Sequence, residues 1–285
     1  MSGSPGQLWV VATPIGNLDD LTLRAAEVLR RVTVIAAEDT RHSAPLLARV
    51  GSAAATVALH EYNEREQCER LVERMRQGED VALISDAGTP LVSDPGFRLV
   101  RAARAAGLVV SPVPGACAAI AALSVAGLPS DRFVFEGFLP AKPAGRRERL
   151  QLLAAETRTL IFYESSHRIA ESLADMAAVF GPAREGVLAR ELTKRFETIL
   201  AEPLGALAER VATDADQRRG EFVVLVGGAH GEDADRVLAE GRRVFATLTS
   251  ELPPARAAKL AAAITGAPRK ALYDHAKNVQ PVPHE

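Results

Sequence analysis

The sequence predicts an α/β protein of two α/β domains followed by a small helical module. Three observations carry that prediction. Short apolar runs of strand length alternate with amphipathic helical stretches through most of the chain, the pattern of parallel sheets covered by helices. Three of the strand-ending loops pair proline with glycine. The last forty or so residues turn basic and alanine-rich. A chain of 285 residues that is 47% hydrophobic and 25% charged can build two cores. The expected boundaries are 1–127, 128–228 and 242–285.

The elements follow in order. LWVVATP, Leu8 to Pro14, reads as a strand apolar on both faces. Leu21, Leu23, Ala26, Val28, Leu29 and Val32 then fall at helical spacing. VTVIAAED is the second strand, SAPLLARVG a short helix closed by Gly51, and ATVALHEYN the third strand. EREQCERLVERMRQGE is an amphipathic helix with Cys68, Leu71, Val72 and Met75 on one face. DVALISD is the fourth strand, GFRLVRAARAAG a helix, and LVVSPVPG the fifth strand.

Composition changes at GLPSDRFVFEGFLPAKPAGRRERL, which reads as aromatic residues followed by a Pro/Gly/Arg loop. Phe133, Phe135 and Phe138 are expected to point into the core. Next come RTLIFYES as strand, SHRIAESLADMAAVFG as helix, EGVLARELT as strand, FETILAEPLGALAERV as strand then helix, and GEFVVLVGG as strand. Ala229 to Gly241 is expected to be a linker. Beyond it, two helical stretches meet at Gly266-Ala267-Pro268, a helix-turn-helix-like hairpin with Ala257, Leu260, Ala261, Ile264, Leu272 and Tyr273 facing inward.

Charge and cysteine usage exclude several function classes. The net charge of −2 does not by itself suggest a nucleic-acid binder. Between Arg242 and Lys277, however, seven Lys or Arg stand against two acids, Glu251 and Asp274. Cys68 and Cys117 make no disulfide framework or metal-ligand spacing, so no metal is expected. The first residues read as no signal peptide, and no apolar run reaches the ~18 residues of a membrane helix. A cytoplasmic protein without a membrane partner is expected.

The chemistry lies in the strand-ending loops. Parallel sheets bind ligands outside the carboxyl ends of their strands. ATPIGN, SDAGTPLVSDPG and PVPGACA each fix the backbone with proline and remove side chains with glycine. Together they suggest a cradle for a flat or extended ligand held by backbone groups. G-x-G-x-x-G and G-x-x-x-x-G-K-[ST] are absent, which excludes a nicotinamide Rossmann fingerprint and a Walker nucleotide loop.

VVATPIGNLDDLTLRAAEVLRRVTVIAAEDTR, LISDAGTPLVSDPG, PVPGACAAIAAL, GLPSDRFVFEGFLP, LIFYESSHRI and ARELTKRFE occur in that order. Together they resemble the tetrapyrrole-methylase superfamily and, more closely, its ribosomal branch, which methylates a cytidine 2′-hydroxyl in the decoding region of 16S rRNA. The likeness runs from about Gln7 to Gly228 and includes the basic tail. Thr13-Pro14-Ile15-Gly16-Asn17 and Asp86-Ala87-Gly88-Thr89-Pro90 depart from the tetrapyrrole enzymes' Gly-Pro-Gly and Gly-Asp-Pro patterns, toward the RNA branch.

The resemblance implies S-adenosylmethionine in a cleft between the two α/β domains. By position, it assigns Pro14, Gly16, Asp86, Ala87, Gly88, Thr89, Pro114, Gly115, Ala116 and Ala119 to the cofactor. From the second domain it adds Tyr163, Glu164, Glu221, Phe222 and Val223. It also implies a homodimer acting on 16S rRNA in the small ribosomal subunit.

A ribose hydroxyl must lose a proton during attack, so a base is expected. Glu38, Asp39 and His42 are the first candidates, with Glu164 and His167 a second group. Arginines suit phosphate through their bidentate fork. The expected RNA contacts are Arg41, Arg168, Lys194, Arg256, Lys259, Arg269 and Lys270, and Thr193 and Arg195 are further possibilities. Two alternatives stay open: a methyltransferase acting on a tetrapyrrole or corrinoid precursor, and a non-catalytic ribosome-binding protein on the same fold.

Overall fold

A computed structural model of the chain describes residues 4–60, 63–229 and 233–273. The chain forms two compact units, Met1–Gly228 and Ala229–Glu285. The first unit holds two five-stranded sheets.

Sheet one contains β1 (Leu8–Val11), β2 (Val34–Ala37), β3 (Ala55–Ala58), β4 (Val81–Ile84) and β5 (Val110–Val113). All its pairings are parallel, in the order β3-β2-β4-β1-β5. VIAA and VALI are buried at every position. That is the signature of a sheet covered on both faces. Alternate residues feed opposite cores. Val34, Ala36 and Leu83 pack against α3 (Glu64–Arg76) and α4 (Phe97–Ala105). Ile35, Ala37 and Ile84 pack against α1 (Leu23–Arg31) and α2 (Thr40–Val50).

Strand order decides where the ligand loops meet. β4, β1 and β5 are neighbours, so their three Pro/Gly loops leave the same edge side by side. β2 lies next to β4 and delivers Glu38 to that edge.

Sheet two contains β6 (Phe133–Phe138), β7 (Thr159–Ser165), β8 (Glu185–Arg190), β9 (Thr198–Pro203) and β10 (Glu221–Val226), ordered β6-β7-β10-β8-β9. β6 and β7 are parallel; the other pairs are antiparallel. One face packs on α6 (Pro143–Leu153), α7 (Ile169–Phe180) and α8 (Leu204–Thr213). The other face packs on α5 (Ala118–Val125) through Ala119, Ala122 and Leu123. α5 precedes the expected boundary at residue 128, yet its buried side belongs to the second sheet.

Three expectations need correction here. The stretch read as a Pro/Gly/Arg loop is the helix α6, with Pro143 in its first turn, where a missing N–H costs nothing. Its sequence looked solvated because Arg146 is polar, but Arg146 is 2% exposed. It is neutralised there by Asp175 at 2.6 Å and Glu171 at 3.1 Å. Phe133 and Phe138 do not point into the core; they are 39% and 55% exposed. Helix α7 starts at Ile169, so Ser166 and His167, read as its first residues, sit in the turn before it.

In the second unit, α9 runs Asp233–Thr249 where a linker was expected up to Gly241. Gly241 is a packing residue: a Cβ there would come within 2.4 Å of the Ala267 Cβ. α10 spans Pro254–Thr265, and helix resumes from Arg269 as far as Tyr273. Phe245, Ala257, Ala258, Ala261, Ala267 and Leu272 form its core. Leu260, Ile264 and Tyr273, expected to face inward, are 39%, 66% and 36% exposed, because small alanines fill the helix contact instead. Asp274 and Lys277 of the basic stretch lie outside the described residues.

Candidate active site

The site begins with hydrogen bonds between loops. Thr13 and Gly88 exchange both backbone bonds, at 2.8 and 3.1 Å. The Thr13 hydroxyl also donates to the carbonyls of Ser85 and Gly88. Thr89 donates its hydroxyl to Ala116 O at 2.9 Å. The loops after β1, β4 and β5 are therefore tied into one piece. Gly88 has a φ of +81°, and a Cβ there would sit 3.2 Å from Ile15 Cγ2, so the position admits little but glycine.

Further along the same loop, Leu91 and Ser93 hold φ values of +74° and +68°. Non-glycine residues in this region store strain, which concentrates at functional sites. The loop's exit is fastened by Glu64, which is 6% exposed. Its carboxylate accepts the backbone N–H of Gly96 at 3.2 Å and of Arg98 at 2.9 Å.

Above these loops opens a cleft of about 380 Å³. Sheet one supplies Ile15, Glu38, Asp86, Ala87, Gly88, Thr89, Val92, Ser93, Asp94, Cys117 and Ala118. Sheet two supplies Phe138, Tyr163, Glu164, Ser165, Ala189, Leu192, Glu221, Phe222 and Val223. Tyr163 is fixed at the far wall: its hydroxyl accepts the Ala119 N–H at 3.1 Å, and burial pushes its ionisation up.

Five acidic residues line this cleft; Glu164 and Glu221 are paired with Arg168 and Lys194, which leaves Glu38, Asp86 and Asp94. Burial raises the pKa of Asp94 to about 6; the nearby Glu38 and Asp86 push the same way, and a hydrogen bond to Ser85 opposes them. Burial also raises Glu38, with Asp86 adding to it, while the Asp86 backbone and the nearby His42 favour its ionised form. Asp86 accepts the backbone N–H of Asp39 at 3.1 Å, which joins the β2 loop to the β4 loop. Among the described residues, no Lys or Arg pairs with Glu38, Asp86 or Asp94.

The remaining expected site residues take other places. Pro14 and Gly16 flank the lining residue Ile15 without lining the cleft. Gly16 instead packs on the stem of Lys194, whose Cγ a Cβ there would meet at 2.4 Å. Pro114, Gly115, Ala116 and Ala119 do not line the cleft but stand beside the lining residues Cys117 and Ala118 in sequence, with Pro114 and Gly115 exposed and Ala119 buried. Gly115 packs on Ala12, while Ala116 and Ala119 hold Thr89 and Tyr163 as described.

Asp39 is the N-cap of α2 and accepts from Arg41. The Arg41 side chain holds the Asp39 carboxyl at about 2, which leaves it a poor proton acceptor. Arg41 and His42 belong to the first turn of α2 and are exposed; neither lines the cleft. Glu164 is 3% exposed, and its carboxylate is used up by Ser172, Arg168 and the Ser165 N–H. Arg168 is thereby committed too. Lys194 bridges Glu191 and Glu221 at 2.9 and 2.8 Å. Arg256, Lys259, Arg269 and Lys270 are exposed on the second unit.

Sequence reasoning missed Ile15, Val92, Ser93, Asp94, Cys117, Ala118, Ser165, Ala189 and Leu192, and turned Phe138 toward the core. The Asp94-Pro95-Gly96 turn, which follows Asp86-Ala87-Gly88 in the same loop, was a usable signal for Asp94. Strand register, needed for Phe138, is invisible without the pairing partner.

The profile of the Tetrapyrrole (Corrin/Porphyrin) Methylases matches residues 7–208, and that of the RsmI C-terminal HTH domain matches residues 229–277. The chain is 62% identical to a Ribosomal RNA small subunit methyltransferase I of Xylella fastidiosa strain Temecula1, over 95% of this chain and 98% of that one. It is 60% identical to the protein of the same name from Pseudomonas aeruginosa, over 96% and 97%. Among solved structures, uroporphyrin-III C-methyl transferase from Thermus thermophilus complexed with S-adenyl homocysteine superposes with a TM-score of 0.55 at 20% identity. That match covers 78% of this chain and 97% of the other, and shows the shared fold.

Replacing Glu64 by alanine strands the buried Gly96 N–H and the part-buried Arg98 N–H at the exit of the strained loop. The expected result is a loss of about 1–3 kcal/mol in unfolding free energy, together with faster proteolysis between residues 86 and 96. Urea denaturation and limited proteolysis measure both, and an unchanged midpoint and cleavage rate would refute the fastening role.

Proposed function

We propose, from the premise that this chain belongs to the tetrapyrrole (corrin/porphyrin) methylases, in the branch of the ribosomal RNA small subunit methyltransferases I, that it moves a methyl group from S-adenosylmethionine to the 2′-hydroxyl of a cytidine in 16S rRNA. The observation that carries the reading is a set of three cleft-lining carboxylates, Glu38, Asp86 and Asp94, that no Lys or Arg pairs among the described residues. Such a cleft favours a cationic ligand. S-adenosylmethionine, when bound, supplies the methyl on a positively charged sulfur.

The lining residues fit that ligand. Asp86 and the backbone of Ala87 to Thr89 would hold the charged amino-acid end. Ile15, Ala189, Leu192, Phe222 and Val223 offer an apolar wall for a purine. Pro14, Gly16, Pro114, Gly115, Ala116 and Ala119, which do not line the cleft, act by shaping and tying the loops that do.

Methyl transfer demands position more than covalent help, in a site poor in water. The clamped loops supply position, and the second sheet covers the cleft. Asp94 is placed to accept the proton that the ribose hydroxyl gives up, with Glu38 beside it. A carboxyl with a pKa near 6 is ionised at neutral pH and more basic than an ordinary aspartate. Asp39 serves this loop from outside as a helix cap, and His42 stands beside it on the first turn of α2. The exposed Arg256, Lys259, Arg269 and Lys270 suit phosphate contacts on the ribosomal subunit. Arg41 is paired with Asp39 but keeps an exposed side chain for the same use, whereas Arg168 and Lys194 are committed to acidic partners in less exposed positions.

The decisive experiment incubates the protein with methyl-labelled S-adenosylmethionine and small ribosomal subunits, then digests the RNA to nucleosides. Label in 2′-O-methylcytidine is expected; absence of label there would sink the assignment. Calorimetry with S-adenosylhomocysteine is expected to show no binding to Gly88→Val, since a branched side chain at φ +81° crowds Ile15. Binding at the unmodified protein's affinity would refute the cradle.

The pH profile tests Asp94. Both binding a cation and accepting a proton need the ionised form. Thus kcat/KM for the cofactor is expected to rise with pH up to about 6 and to level off above it. Asp94→Asn is expected to lower turnover by about 10²–10⁴-fold and to erase that rising limb. A limb that survives in the variant assigns it to another group.

A further inference from the structure

A register irregularity in β6 places an aromatic ring at the lip of the cleft. Phe135 stands opposite Ile161, Gly137 opposite Phe162, and Phe138 opposite Tyr163. Glu136 is therefore an extra residue, a β-bulge. In a regular pairing Gly137 would face Tyr163, and Phe138 would fall on the opposite side of the sheet. The bulge turns Phe138 onto the face of Ile161 and Tyr163, which is the cleft face. Bulges next to active sites commonly re-aim a side chain in this way.

The surroundings hold this arrangement in place. Glu136, the inserted residue, is held by Arg149 Nε at 2.8 Å. Gly137 adopts a φ of +65°, and a Cβ there would lie 3.1 Å from Ser93 Oγ. The bulge thus abuts the strained loop that carries Asp94. Phe138 lies edge-on to the Tyr163 ring, with centroids 5.7 Å apart, and Phe135 supports the same tyrosine at 4.9 Å. Tyr163 is itself anchored through Ala119. Yet Phe138 remains 55% exposed while lining the cleft. An exposed phenylalanine on a rigid aromatic support, reached by a bulge, has a face open to a flat ligand.

We propose that Phe138 is a substrate-positioning residue: the platform on which the target cytosine stacks once its nucleotide has left its neighbours. A ribose hydroxyl within a stacked RNA cannot reach a cleft lined on both sides by protein. Splayed bases are held by aromatic planes, and stacking on such a plane tolerates any base. Phe138 therefore supplies position and residence. The inference rests on the RNA-methyltransferase reading above.

The test uses the full chain, small ribosomal subunits and labelled S-adenosylmethionine. The unmodified protein serves as control: its failure to label 2′-O-methylcytidine would overturn the underlying reading, not the placement of Phe138. With the control active, Phe138→Ala is expected to lower kcat/KM for subunits by about 10- to 100-fold. Its affinity for S-adenosylhomocysteine by calorimetry is expected to stay within about twofold of the unmodified protein. Phe138→Trp and Phe138→Tyr are expected to restore turnover, because each keeps a stacking face. Cofactor affinity lost together with turnover in Phe138→Ala would make the ring part of the donor wall and overturn the proposal. Unchanged turnover on subunits would overturn it equally. The ring's exposure means the variant should fold, which its thermal transition checks.

Discussion

The site depends on the clamp that ties three neighbouring strand ends through Thr13, Gly88, Thr89 and Ala116. β4, β1 and β5 are adjacent, so their loops have to share one small volume at the sheet edge. Backbone groups there lose water and need partners. The loops supply them for one another: Gly88 and Thr13 bond reciprocally, and the two threonine hydroxyls take remaining carbonyls. A bulky side chain at Gly88 would force the loops apart at Ile15. Glycine and proline are thus demanded by crowding, and the backbone-lined cleft is the consequence.

The clamp also explains how strain and charge persist nearby. Leu91 and Ser93 occupy unfavourable backbone conformations, each costing on the order of 1–3 kcal/mol unless the surroundings hold them. Thr89 holds one end of that segment and Glu64 the other. Between those anchors the chain carries Asp94 into a partly buried position near Glu38 and Asp86. Relaxation of the loop would let the three carboxylates separate and rehydrate.

Much of this was legible in sequence. The five strands of the first sheet announced themselves as apolar runs, and the Pro/Gly loops pointed to the right edge. Asp86 through Thr89, Tyr163 and Glu221 through Val223 were named from sequence, and all line the cleft. What was illegible depended on partners far along the chain. α6 was read as loop because nothing local reveals that Arg146 meets Asp175 in the interior. Gly241 looked like linker because its reason, contact with Ala267, lies 26 positions downstream. Glu164 looked chemically available until Ser172 and Arg168 were seen to consume its oxygens. The orientation of Phe138 depended on one bulge, and a single-residue register step inverts every inference about a strand's faces.

Uncompensated carboxylates are costly, and the fold had means to neutralise them. It places arginine against Asp39, Glu136, Glu156, Glu164 and Asp175. Around Glu38, Asp86 and Asp94 it places none among the described residues. The same chain that pairs its acids elsewhere therefore leaves three together at the loops that strain and hydrogen bonding immobilise. Mutual repulsion and desolvation destabilise the empty site, and a ligand bearing positive charge relieves both. Part of the binding free energy of any cationic ligand is in this way stored in the fold beforehand, and the same burial that makes the site costly raises Asp94 to about 6, the property that the proposed role of proton acceptor draws on.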